Sequence, residues 1–166
     1  LRVDGVTALK AERAAFQELR VSDEARNLRY LFFAKRAAAK GLRTSAIAVT
    51  IESIGIAGAG TMGESIARAV LAAGINTVLF DAKPATLARA ASSISQTSFP
   101  GALSVASSLA ELGQCSIVID AVFEDLDVKR ELFTALDAVA ADDTVFASNT
   151  SYLDLDNIAA VLQRPG

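Results

Sequence analysis

The chain has 166 residues, with 16 Lys and Arg against 19 Asp and Glu and a net charge of −3 at pH 7. That length holds one domain with a real core plus an appendage. The mixed-sign, weakly acidic balance gives no reason to expect nucleic acid or an anionic membrane as partner. Cys115 is the only cysteine, so an intrachain disulfide is excluded and a reducing compartment is permitted. It reads as a buried small hydrophobe beside a strand. No apolar run approaches the roughly 18 residues that span a bilayer, and no signal peptide is visible. The sequence starts at Leu1 and contains no histidine, so it reads as a piece of something longer, and no metal site is expected.

Residues 1–45 differ in character from the rest of the chain. Ala8 to Leu19 is rich in Ala and Glu and reads as a helix with Leu9, Phe16 and Leu19 roughly on one side. Ser22-Asp23-Glu24 opens a second helix. Ser22 suits the N-cap, and the two acids suit the positive end of the helix dipole. Ala25, Leu28, Leu31 and Phe32 form its apolar stripe. Lys35, Arg36, Lys40 and Arg43 crowd its C-terminal end, where cations are favoured, and Gly41 is placed to stop it. Two short amphipathic helices do not fold alone, so they need something to pack on, either the following domain or an upstream one.

From Ala46 strands and helices alternate. The first strand lies within Ile47 to Ala57, with its apolar run at Ile51 to Ala57, and a helix covers 61–73. A second strand at 75–80 precedes a helix at 84–97 opened by Pro84. Ala102 to Ala106 is a third strand and Leu109 to Leu112 a single helical turn. Ser116 to Val122 is a strongly apolar strand. Asp125 or Asp127 caps a helix whose Val128, Leu132, Leu136 and Val139 face inward. Thr144 to Ser148 is a fifth strand, and Ile158 to Leu162 belongs to a last helix. Alternating elements with continuous apolar strands predict a parallel sheet covered on both faces.

The chemistry concentrates at the C-terminal ends of these strands, where open parallel sheets bind ligands. The first strand breaks into Gly58-x-Gly60-x-x-Gly63 and runs straight into a helix where Met62, Ile66, Val70 and Ala73 recur at helical spacing. Gly58 permits a tight turn, Gly60 lets backbone approach a diphosphate, and Gly63 lets the helix pack against the strand. The helix N-terminus then offers free N–H groups to phosphates. Asp81 closes the second strand 23 residues after Gly58, close to the spacing of about 20 for an acid that bonds the adenine ribose. Capping of the helix at Pro84 is the plainer use of that side chain. Strand, glycine turn, helix and acid together favour dinucleotide binding and an α/β, Rossmann-type doubly wound sheet with an N-terminal helical extension. Val122-Phe123-Glu124 follows the fourth strand and Asn149-Thr150-Ser151 the fifth, so four strand ends are expected around one crevice.

Three segments resemble the 3-hydroxyacyl-CoA dehydrogenase family: Gly-Ala-Gly-Thr-Met-Gly (58–63), Glu-Asp-Leu-Asp-Val-Lys (124–129) and Ala-Ser-Asn-Thr-Ser (147–151). They fall in the order and approximate spacing of its NAD-binding domain. Leu9 to Lys40, with Glu-Leu-Arg (18–20), Ser-Asp-Glu-Ala-Arg (22–26) and Phe-Phe-Ala-Lys-Arg (32–36), resembles the helix that leads out of the enoyl-CoA hydratase module in multifunctional β-oxidation proteins. The resemblance implies NAD as cofactor, with Gly58, Gly60, Met62 and Gly63 by the diphosphate and Asp81 on the adenosine ribose. Val122, Phe123 and Glu124 would line the cleft. Lys129 would point toward the ribose on the nicotinamide side, although a surface lysine is the commoner fate. Asn149 and the catalytic candidate Ser151 would lie near the nicotinamide and the substrate hydroxyl, although backbone capping is a common use of both types. In the family a histidine paired with a glutamate takes the hydroxyl proton. It normally follows an Arg-Pro like Arg164-Pro165, so the proton acceptor is expected beyond Gly166.

Three positions depart from the family pattern. Only 35 residues separate Asp81 from Ile117, where the family usually carries a long helical hairpin that helps to hold coenzyme A. Glu64 stands in the first helical turn, where a small residue is common and an inward carboxylate would repel a diphosphate. Tyr152 replaces a small polar residue. The expectation is therefore residues 1–45 as a helical linker from a hydratase-like module and 46–166 as an NAD-binding domain. The parent reaction is oxidation of a 3-hydroxyacyl-CoA to a 3-ketoacyl-CoA in fatty-acid β-oxidation. A cytoplasmic setting, or a peroxisomal one in a eukaryote, goes with it, and this piece alone is expected to be inactive. The alternatives are another NAD(P)-dependent hydroxy-acid dehydrogenase, or a non-catalytic NAD-binding module.

Overall fold

A computed structural model describes residues 4–41 and 50–163. The expected domain boundary at 45/46, residues 47–49 of the first strand stretch, Arg43 and Arg164-Pro165 lie outside the described residues. The chain divides into two compact units, with the boundary between residues 48 and 49.

The first unit is a pair of helices, α1 (Gly5–Arg20) and α2 (Asp23–Gly41). Asp4 caps α1 by accepting the Val6 and Thr7 N–H groups at 3.0 Å each. Ser22 caps α2 through the Ala25 N–H. The Arg29 guanidinium donates to the Arg20 carbonyl at 3.0 Å across the turn, meeting one of the carbonyls that every helix C-terminus leaves without an intrahelical partner. The predicted stripe on α2 is not buried: Leu28, Leu31 and Phe32 are exposed, as are Leu9, Phe16 and Leu19 on α1.

In the second unit the strands are β1 (Ser53–Ala57), β2 (Asn76–Phe80), β3 (Leu103–Val105), β4 (Ile117–Asp120) and β5 (Val145–Ser148). The helices are α3 (Thr61–Ala72), α4 (Pro84–Ser95), α5 (Leu109–Leu112), α6 (Leu126–Asp137) and α7 (Leu155–Ala159). The strands form one sheet in the order β3-β2-β1-β4-β5, and every pair is parallel. The chain builds outward from β1 to β2 and β3, then crosses back to add β4 and β5 on the other side. Successive connections thus reverse direction between β1 and β4, and the loops after these two strands part to leave a crevice. Between Asp81 and Ile117 lie only α4, the edge strand β3 and the one-turn α5; no helical hairpin stands there.

Two apolar layers sandwich the sheet. Ile54, Ile56, Leu71, Leu79 and Ile94 anchor one, and Leu112, Val118, Phe133, Leu136 and Ile158 the other. Each such side chain contributes about 1.5–3 kcal/mol by leaving water. The helix faces differ from those the sequence suggests. On α3 the buried residues are Gly63, Ala67 and Leu71, whereas Met62 is exposed. Small residues let the helix axis come close to the strands, and the larger side chains on either side reach the rim. On α6 the buried face is Lys129, Phe133 and Leu136, with Leu132 partly covered, while Val128 and Val139 are exposed. The α6 cap is Asp125, which accepts the Asp127 and Val128 N–H groups. The last helix among the described residues is α7, capped by Asp154; it contains Ile158 and Ala159 but starts earlier than expected and ends before Leu162. β4 ends at Asp120, two residues earlier than expected, because the Asp120 carboxylate accepts the Val122 N–H at 2.9 Å and turns the chain. Cys115 is buried, and burial pushes its thiol pKa up.

Candidate functional site

The three glycines after β1 serve different ends. Gly58 has φ +105°, and a Cβ there would lie 2.5 Å from the Ala121 carbonyl oxygen. A side chain would be strained and would also push β4 away. A Cβ on Gly63 would overlap the Gly58 carbonyl oxygen, so this glycine lets α3 dock on its own loop. Gly60 is the exception. Its φ of −67° suits any residue, and a Cβ there meets nothing within 4 Å. The fold does not need glycine at 60; something that approaches from outside the chain would.

Asp81 ties this loop to β2. Its Oδ2 accepts the Ala59 N–H at 2.8 Å and its Oδ1 the Lys83 N–H at 2.7 Å. It is not the cap of α4, whose N-cap is Lys83 without a side-chain bond. Each carboxylate oxygen keeps a second lone pair for another donor. Glu64 turns away from the helix N-terminus. Its carboxylate takes Arg68 at 3.1 Å and Arg89 at 3.2 Å, and the Ser93 hydroxyl donates to it at 2.7 Å. The Ser93 bond first, then Arg68, holds its pKa below the usual range. Arg89 also donates to the Ala59 carbonyl, so the repulsion expected from an inward Glu64 is avoided while α4 braces the loop. Gly58, Gly60, Met62, Asp81, Val122 and Phe123 line one cleft of ≈ 690 Å³, closed on its far side by Val128 and Leu132 of α6.

A second cluster sits at the ends of β4 and β5. The Lys129 ammonium, 1% exposed, meets Asp120 Oδ2 at 2.7 Å and Glu124 Oε2 at 3.1 Å. The surface fate that is usual for lysine does not apply. Register pairs Asp120 with Ser148, and the Ser148 hydroxyl donates to Asp120 Oδ2 at 2.6 Å. Glu124 Oε1 accepts the Thr150 hydroxyl at 2.5 Å and the Ser151 N–H at 2.9 Å. These bonds, the Thr150 hydroxyl foremost, with Lys129 alongside, hold the Glu124 pKa down to about 2. Glu124 therefore stays a carboxylate under all ordinary conditions and pins the loop after β5. The Asn149 N–H donates to the Asp120 carbonyl at 3.0 Å, and the Asn149 and Ser151 side chains are exposed. The Tyr152 hydroxyl donates to the Glu124 carbonyl at 3.4 Å.

The structure thus gathers Gly58, Gly60, Met62, Asp81, Val122 and Phe123 around one cleft, with Gly63 beneath it. Glu124 and Lys129 meet each other, and Glu124 reaches the backbone of Ser151; none of these three, nor Asn149, lines that cleft. Sequence reasoning missed Asp120, Ser148 and Thr150. The available signal was a carboxylate closing an apolar strand, Ile117–Asp120, with a lysine nine residues on.

Residues 53–166 match the family model described as 3-hydroxyacyl-CoA dehydrogenase, NAD binding domain. The peroxisomal bifunctional enzyme of Homo sapiens is 35% identical, over 95% of this chain and 24% of that protein. The fatty acid oxidation complex subunit alpha of Vibrio cholerae is 31% identical, over 95% of this chain and 25% of that protein. Among solved structures, the dehydrogenase part of multifunctional enzyme 1 from C. elegans superposes with a TM-score of 0.60 at 29% identity, over 74% of this chain and 32% of that one. The chain spans about a quarter of the length of the curated relatives it matches.

Proposed function

The chain belongs to the 3-hydroxyacyl-CoA dehydrogenase family as its NAD-binding domain, and we propose that it carries the dinucleotide for oxidation of a 3-hydroxyacyl-CoA to the 3-ketoacyl-CoA within a longer β-oxidation protein. The observation that carries the reading is Gly60: the fold leaves space for a side chain there, and a diphosphate laid on the α3 N-terminus uses that space. Gly58, Gly63 and Met62 would frame the diphosphate. Asp81 would accept the adenosine ribose hydroxyls on its remaining lone pairs. Val122 and Phe123 would form the wall of the cleft, and Glu124, Lys129 and Asn149 would meet the nicotinamide riboside. When bound, NAD supplies the hydride acceptor.

Ser151 would hydrogen-bond the substrate hydroxyl, but a serine is a poor base at neutral pH without a partner that takes its proton. There is no imidazole in these 166 residues, so the chain is assigned the cofactor-binding share of the reaction. With only α4, β3 and α5 between Asp81 and Ile117, coenzyme A would be gripped by other parts of the parent protein. We assign the helical unit to the passage from an upstream hydratase-like module; the curated relatives align over 95% of the chain and so include it. A cytoplasmic or peroxisomal setting fits this assignment, and three relatives are named as peroxisomal.

Two measurements test the reading. Gly60→Val should weaken NAD binding by more than about 100-fold in calorimetry while far-UV circular dichroism and Tm stay near wild type. Wild-type affinity in that variant would reduce the glycine loop to a turn. NADH absorbance with a short-chain and a long-chain 3-hydroxyacyl-CoA should not rise above a free-cofactor blank, since general base catalysis worth about 10²–10⁴-fold is missing. Turnover above that blank would place a working base within these residues.

A further inference from the structure

Asp120 is fully buried at the point where β4, β5 and α6 meet, and both its oxygens are occupied. Oδ1 takes the Val122 N–H, and Oδ2 takes the Lys129 ammonium and the Ser148 hydroxyl. An ammonium has three donors. Asp120 takes one at 2.7 Å and Glu124 another at 3.1 Å, which leaves the third to be aimed. Glu124 is a part-exposed anchor, with 30% of its side chain in contact with solvent. A lysine stem is flexible, and its charge is strongly hydrated. Held by Glu124 alone, the ammonium would be free to follow that carboxylate outward toward water. A second, immobile carboxylate behind it prevents this.

We propose that Asp120 is a positioning residue for the dinucleotide: with Ser148 it fixes the Lys129 ammonium so that its third N–H, beside Glu124, meets the ribose on the nicotinamide side. The proposal rests on the NAD reading above and adds to it a residue that touches no cofactor itself. The geometry also separates this role from a merely structural one. Val128 and Leu132 of α6 line the cleft shared with the glycine loop and Asp81. If Asp120 only held α6 in place, its loss would loosen both ends of the cleft together. If it positions Lys129, only the nicotinamide end suffers.

The test compares NAD with ADP, which has the adenosine and diphosphate but lacks the second ribose. Calorimetry on the full chain should show Asp120→Asn binding NAD about 10- to 100-fold more weakly, the range for a lost hydrogen bond to a charged group. ADP affinity should stay within about twofold of wild type. Equal weakening of both ligands, or no change in either, overturns the proposal. Should Asp120→Asn fail to fold, Ser148→Ala removes one hydroxyl from the same oxygen and carries the same test. A selective loss of NAD affinity supports positioning, and a parallel loss or none overturns it. Wild type that takes up neither ligand would overturn the dinucleotide reading itself, and this proposal with it. Wild type that binds both, beside an unchanged variant, would overturn the positioning role alone.

Discussion

The two ends of the crevice are built by different means. On the β1–β2 side the working parts are backbone: a glycine at φ +105°, a helix N-terminus and N–H groups fastened to Asp81. On the β4–β5 side the working parts are side chains: a buried ammonium between two carboxylates, with hydroxyls from Ser148 and Thr150 completing the set. Backbone conformation is set by a few adjacent residues and stays cheap to hold. A buried charge cluster is costly to form unless every member is paired, so it responds far more sharply when one member is removed. At Gly60, where the fold leaves room for a side chain, the glycine end should accordingly fail in binding before it fails in stability, and the charged end in both.

The sharpest way to break the charged end is Lys129→Ala. It leaves Asp120 buried without its counter-ion, and removing one partner of a buried pair typically costs about 3–5 kcal/mol. Urea unfolding should show that loss, with NAD binding lost as well. A midpoint unchanged from wild type would mean that the pair contributes nothing to folding. Gly60→Val should do the reverse, sparing stability while NAD binding is lost.

A smaller effect is expected at Asp81. Its charge should repel a 2′-phosphate, so wild type should prefer NAD to NADP, and Asp81→Asn should narrow that preference by about tenfold. Calorimetry with both cofactors reads this, and equal or tighter NADP binding by wild type would remove Asp81 from the adenosine ribose. Lys83, whose N–H already donates to Asp81, is the residue that would soften the preference.

The smallest effect is in pH. Glu124 has its pKa held from an ordinary 4.5 down to about 2. A group depressed on folding stabilises the fold fully above its unfolded value and loses that contribution as pH falls through the folded one. Acidification from about 4.5 to about 2 should therefore loosen the loop after β5. Thr150→Val removes the largest cause of the shift, so the acid transition, followed by circular dichroism, should move to higher pH. An unmoved transition would show that the Thr150 bond does not set the titration.

The elements and the glycine end were legible because their causes are local. Strand-turn-helix patterning, three glycines at fixed spacing and an acid at the end of the next strand need no knowledge of distant contacts. The helix faces were less legible. Of Met62, Ile66 and Val70, which recur at helical spacing on α3, Ile66 and Val70 pack partly buried against the core and Met62 is exposed, while the fully buried residues are Gly63, Ala67 and Leu71, because how closely a helix approaches a sheet decides which residues are covered most. On α6 the same effect replaces Val128 with a lysine.

A parallel α/β sheet, a phosphate-type turn and an acid beside it were all present in the order of the amino acids, since backbone dihedrals and periodicity are properties of neighbouring residues. The burial of Lys129, its capture by Asp120 and Ser148, and the turning of Glu64 toward α4 emerged with the folded arrangement alone. Each of those outcomes depends on charges and hydroxyls that lie far apart in the chain, 28 residues from Asp120 to Ser148 and 29 from Glu64 to Ser93. Such groups acquire partners only once the strands are in register and the helices are docked.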